Sequence, residues 1–158
     1  MEVKIRPLRE EDAYVSYKWR NDPLVFKYTC NRYTSEITLE SELEWIRRVT
    51  KNPADYRCAI EADGVYVGNI YLTDITNKEA DYHIFIGDRN YWGKGVAKKA
   101  SQLLIKYGFE TLNLDRINLQ MRTENHTAYH LYLTLGFIEI ERSEEFITMS
   151  LPKKDLYE

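Results

Sequence analysis

The stretch Asn90-Tyr91-Trp92-Gly93-Lys94-Gly95-Val96-Ala97 stands where one hydrophobic period gives way to another. Before it, Asp81-Tyr82-His83-Ile84-Phe85-Ile86 has strand composition and is stopped by Gly87-Asp88. From Val96 onward, Val96, Ala97, Ala100, Leu103, Leu104 and Tyr107 share one helical face, with Gly108 near its end. The two glycines therefore occupy a strand-to-helix turn. Without side chains at 93 and 95, backbone N–H groups can converge on a phosphate that the helix dipole also favours, and Lys94, Lys98 and Lys99 add positive charge. Gly-x-Gly also makes turns that hold nothing. The stretch matches neither the nucleoside triphosphate loop nor the dinucleotide fingerprint.

Working outward, Arg57 to Glu61 and Val65 to Thr73 read as two strands around the tight turn Asp63-Gly64, and Asn77-Lys78 turns the chain again into the strand at 81–86. Three antiparallel strands result. Beyond the 96–108 helix, Arg116 to Met121 alternates as a strand, and Asn125 caps a helix whose Ala128, Leu131, Tyr132 and Leu135 are spaced for burial, with Gly136 placed to end it. The tail from Phe137 to Leu151 supplies two strands joined near Glu144-Glu145. At the other end, Val3 and Ile5 form a short strand before Pro7. A helix with the stripe Tyr14, Val15 and Tyr17 follows and stops at Asn21-Asp22-Pro23, where a short second piece starts. Thr38 then caps a helix over Leu39 to Val49, with Leu39, Leu43, Trp45 and Ile46 on its apolar side. The expectation is an α/β (α+β) fold with a mixed, mostly antiparallel sheet of about seven strands and about four helices, in a single domain over 1–158.

Composition narrows the function classes. The chain has 158 residues, 44% apolar and 30% charged, and 22 Lys plus Arg against 25 Asp plus Glu leave a net charge of −3. That gives no basic excess for gripping nucleic acid, and no apolar run is long enough to span a membrane. Cys30 and Cys58 form no metal or multi-bridge pattern, which suits a reducing compartment and no metal. His126 and His130, four apart, lack a further ligand and read as surface residues. A cytoplasmic location is expected. The 13 tyrosines offer area for pockets and permit a homodimer.

Taken together, Trp92-Gly93-Lys94-Gly95-Val96-Ala97 and Asn125…Ala128…Tyr132…Gly136-Phe137, in this order and separation, resemble the Gcn5-related N-acetyltransferase (GNAT) family over nearly the whole chain. Trp92 stands where that family usually has Gln or Arg, a variation resembling the ribosomal-protein-acetyltransferase branch; it removes one phosphate-binding side chain but leaves the backbone donors. The resemblance implies acetyl-coenzyme A as co-substrate and direct attack by a primary amine in a ternary complex. It also implies that the sheet splays between the strand before the glycine loop and the next strand, so that pantetheine lies along the first of these. Phe85, Ile86, Trp92, Gly93, Lys94, Gly95, Val96, Ala97, Lys99 and Asn125 are then the cofactor-binding candidates, with Asn125 also a helix cap.

By the same resemblance Tyr132 donates a proton to the departing thiolate. Tyrosine titrates near 10 and a thiol near 8.5, so full transfer is uphill by roughly 2 kcal/mol, and a hydrogen bond that strengthens late fits better. His83 is the candidate base, with Asp81, Glu61, Glu79 and solvent as competitors. Trp19, Arg20 and Asn21, followed by the 37–46 segment, resemble acetyltransferases acting on nucleotide-linked amino sugars: Arg20 can fork a phosphate while Trp19 stacks. The alternative is a helix end in which Arg20 pairs with an acidic residue and Trp19 packs inward. Other acceptors in play are a protein N-terminus and a polyamine, and the rival class is a non-catalytic coenzyme A-binding regulatory module.

Overall fold

A computed structural model describes residues 1–27 and 36–154. Seven strands form one sheet in the order β1-β2-β3-β4-β5-β7-β6. They are β1 (Val3–Pro7), β2 (Tyr56–Ala62), β3 (Val65–Thr76), β4 (Glu79–Ile86), β5 (Arg116–Arg122), β6 (Ile138–Arg142) and β7 (Phe146–Pro152). Every neighbouring pair is antiparallel except β4 and β5, which run parallel. The expected mixed sheet is thus the one observed.

Turn chemistry sets the meander. Asp63 and Gly64 have φ of 50° and 81°, and Asn77 and Lys78 have φ of 50° and 62°, so both hairpins use the left-handed pairs that match strand twist. A bulge in β3 lets the Val67 carbonyl accept from both Gly87 N (2.8 Å) and Asp88 N (3.0 Å), which ends β4.

The helices are α1 (Ala13–Arg20), the short α2 (Pro23–Phe26), α3 (Leu39–Thr50), α4 (Val96–Glu110) and α5 (His126–Leu135). Asp22 caps α2, and Thr38 and Ser41 form a reciprocal box at the start of α3. Gly136, at φ 105°, closes α5. On one sheet face α4 and α5 cover Cys58, Ile60, Ile70, Leu72, Ala80 and Tyr82; on the other, α1 and α3 cover Leu8, Ala59 and Tyr71. Leu104 and Leu72 are fully buried, so truncating either to Ala would cost about 2–5 kcal/mol.

α1 departs from expectation. Glu10–Asp12 form a separate 3-10 turn, and Tyr14 and Val15 are exposed, while Ala13, Ser16, Trp19 and Arg20 face inward. The apolar stripe loses to a face bearing a hydroxyl and a guanidinium because Glu42 of α3 satisfies both, at 2.7 Å each.

Candidate active site

The parallel contact between β4 and β5 is short. It comprises Glu79↔Arg116, Ala80↔Ile117 and Asp81↔Asn118, after which β4 continues beside β3 and β5 beside β7. A V-shaped crevice therefore opens from Tyr82 toward the ends of both strands. Gly87 N–H bonds to β3 and its peptide is trans, so the Ile86 carbonyl points the opposite way, into the crevice. Antiparallel alternation gives Ile84 the same orientation, whereas the backbone groups of Phe85 face Asn69 of β3. The crevice-facing pair is thus Ile84 and Ile86, not Phe85 and Ile86 as the resemblance implied. The Phe85 side chain lies on the α1–α3 face, 6.1 Å from the Trp19 ring and 5.1 Å from Phe26.

At the wide end sits the glycine loop. Gly93 (φ 73°) and Gly95 (φ 81°) have left-handed backbones, and a Cβ built at either meets no atom within 4 Å. The space a side chain would fill is open, and the N–H groups ahead of the first α4 bond, Lys99 N to Gly95 O, lie beside it. These residues fit a pyrophosphate. Val96 is buried as the first core residue of α4, with Ala97 half-buried after it. Lys94 lies over the Tyr91 ring at 5.5 Å, and the Lys99 ammonium donates to the Met1 carbonyl at 3.1 Å. Trp92 is exposed, and its indole Nε1 donates to the Ile86 carbonyl at 2.8 Å, tying the loop to the end of β4. Asn125 Oδ1 accepts from Ala128 N at 3.2 Å, which is the capping role.

At the narrow end, Tyr132 is buried, its ring edge-on to Tyr82 at 5.8 Å and 5.9 Å from Phe137. His83 projects from the opposite face of β4, its Nε2 2.9 Å from Thr73 Oγ1. Shielding by surrounding protein, helped by the positive charge of Arg57, pushes its pKa below 6.5, so the imidazole is neutral at pH 7. Beside it, burial first, and then repulsion from Asp74 and Glu79, raises the pKa of Asp81.

The acceptor-side candidates are held differently. Trp19 is buried against Tyr66, ring centroids 4.7 Å apart, and leaves no room for a Cβ at Gly87. Arg20 Nε is 2.7 Å from Glu42 Oε2, both side chains nearly inaccessible, and its guanidinium lies 4.0 Å over Trp45. Inward packing and internal pairing are thus the arrangement seen. Asn21 clasps Ile37, accepting from its N at 2.8 Å and donating to its O at 2.7 Å.

Sequence reasoning missed Tyr82, Ser101 and Glu42. The signal for Ser101 and Glu42 was a polar residue on an otherwise buried helix face; for Tyr82 there was only strand alternation. Cys30 lies outside the described residues. Cys58 is buried, its thiol pushed up to about 11 by burial, which makes it inert near pH 7. Among the described residues no cluster of His, Cys, Asp and Glu is arranged to hold a metal, and no helix is long and apolar enough to cross a membrane.

Comparison with known proteins adds four findings. The model of the acetyltransferase (GNAT) domain matches residues 2–138. The chain is 32% identical over 148 residues to the spermidine N(1)-acetyltransferase of Escherichia coli K12, covering 91% of this chain and 77% of that one. In structure it is similar to the spermidine N-acetyltransferase of Vibrio cholerae in complex with CoA and spermine, with TM-score 0.87 at 24% identity over 99% of this chain and 98% of that one. Mycobacterium smegmatis RimJ in complex with CoA-disulfide gives TM-score 0.88 at 18% identity, over 99% and 84% of the two chains.

Proposed function

The chain belongs to the acetyltransferase (GNAT) family and is an acetyl-coenzyme A-dependent N-acetyltransferase, and from that premise we propose that its acceptor is a polyamine. The observation carrying this reading is the gathering of Asp74, Glu79 and Asp81 where β3 pairs with β4 (Thr73↔Asp81, Thr76↔Glu79), next to the narrow end of the crevice; burial first, and then repulsion from Asp74 and Glu79, raises the pKa of Asp81. A second ammonium on the acceptor would relieve that repulsion. Similarity to the E. coli spermidine enzyme supports the same class. The amino-sugar alternative needs Arg20 to hold a phosphate, and Arg20 is committed to Glu42 inside the fold.

Acetyl-coenzyme A supplies the acyl thioester. In the proposed arrangement Gly93, Gly95 and the first amides of α4 hold the pyrophosphate, with Lys94 and Lys98 adding charge, while Ile84 and Ile86 offer backbone groups to the pantetheine amides. His83, neutral at pH 7, takes the proton that the attacking nitrogen loses as the N–C bond forms, directly or through water. Tyr132 donates a hydrogen bond to the sulfur that strengthens as the C–S bond breaks, the departing thiolate takes its proton from solvent, and His83 releases to solvent the proton it accepted. A screen of thiol release with spermidine, a nucleotide-linked amino sugar and a peptide with a free N-terminus tests the acceptor. Turnover with spermidine well above the other two is expected, and preference for either competitor would overturn the polyamine reading. Binding of the donor without thiol release for any amine would favour a regulatory module.

A further inference from the structure

Tyr82 takes no part in the reaction just described, yet the two ends of the site meet at it. It is the first β4 residue beyond the last pair with β5, and it is 3% exposed. Its ring stands edge-on to Tyr132, centroids 5.8 Å apart at 85°, and lies 5.9 Å from Phe137, which is itself 5.9 Å from Tyr132. Its hydroxyl is 2.5 Å from Ser101 Oγ, and Ser101 Oγ donates to the Ala97 carbonyl at 2.7 Å. Serine has one hydroxyl proton, already directed at Ala97, so Tyr82 is the donor in its bond to Ser101. The chain from Tyr82 through Ser101 to Ala97 therefore ends in the first turn of α4, just past Gly93 and Gly95.

The geometry points to Tyr82 as a positioning residue that fixes the Tyr132 ring relative to the phosphate-facing end of α4, so that the proton donor stands where the cofactor's arm ends. This rests on Tyr132 being the proton donor. Tyr82 is not a second donor: its proton is turned toward Ser101, and burial holds its pKa well above the ordinary value for tyrosine. Ring packing alone would let the Tyr82 ring slide against its neighbours, because edge-on contacts have broad minima. A hydrogen bond to a helix anchored in the core does not.

The test uses Tyr82→Phe and Ser101→Ala, each alone and combined with Tyr132→Phe, reading kcat, KM for acetyl-coenzyme A and melting temperature. Each single variant should lower kcat about fivefold, the worth of one hydrogen bond, with KM changed less than about twofold. In the Tyr132→Phe background, either change should alter kcat by less than about twofold, because residues acting through one group are not additive. A purely structural role would lower the melting temperature and leave losses in kcat that multiply in the double variants. Multiplying losses, or unchanged kcat in both single variants, would overturn the inference while leaving Tyr132 in place. Unchanged kcat in Tyr132→Phe itself would remove the proton donor, and the inference with it. Should Tyr82→Phe fail to fold, Ser101→Ala breaks the same bond under the same expectations.

Discussion

The α4–α5 side of the sheet and the α1–α3 side border one crevice with different materials. On the first, the features facing the opening are mostly backbone: two left-handed glycines, the free end of a helix, and the Ile84 and Ile86 peptides. On the second, side chains grip one another inside the fold: Arg20 on Glu42, Glu42 on Ser16, Trp19 on Tyr66, Asn21 on Ile37. Backbone devices suit a ligand common to many enzymes, since they depend little on side-chain identity. The interlocked side chains set the shape of their side of the sheet from within.

If that contrast holds, the largest effect should come from the side-chain lock. Glu42→Ala leaves the Arg20 charge buried and should cost about 3–5 kcal/mol in denaturant unfolding, whereas Arg20→Met with Glu42→Leu should recover most of it. A single loss below about 1 kcal/mol would mean the pair is solvated, contrary to a buried lock. Next comes the glycine loop: Gly95→Val places a β-branched residue at φ 81° in the open cradle, and should weaken acetyl-coenzyme A binding in calorimetry on the order of 100-fold. Wild-type affinity would take the pyrophosphate away from the loop. Tyr132→Phe should lower kcat about thirtyfold, below the full worth of a general acid because a thiolate needs only partial proton transfer, with KM for the donor nearly unchanged.

The smallest effect concerns pH. Folding holds His83 below its ordinary pKa of 6.5, so as pH falls through 6.5 the unfolded chain binds a proton first, and stability declines until the folded-state pKa is passed. His83→Gln should flatten that acid-side decline in melts recorded from pH 7 to 5. An unchanged slope would show that the imidazole is solvated like a free one.

Local signals made much of the fold legible. Asp63-Gly64 and Asn77-Lys78 announced their hairpins, Thr38 and Asn125 their helices, and Gly136 a helix end, because each acts within a few residues of itself. The glycine loop was legible for the same reason. What escaped depended on partners far away in sequence. The inward face of α1 is decided by Glu42, 22 residues beyond Arg20, and the place of Tyr82 by Ser101, 19 residues on. The Trp92 indole was read as the loss of a phosphate ligand, but its bond to Ile86 could be seen only once β4 and the loop had been brought together.

The brevity of the β4–β5 contact carries its own consequence. Each strand is secured on its far side by another, so the seam between them is held open by the architecture and no strand pair has to part to admit a guest. An extended molecule sliding in becomes an extra rung in the ladder. Substrate capture is in that sense the last step of assembling the sheet.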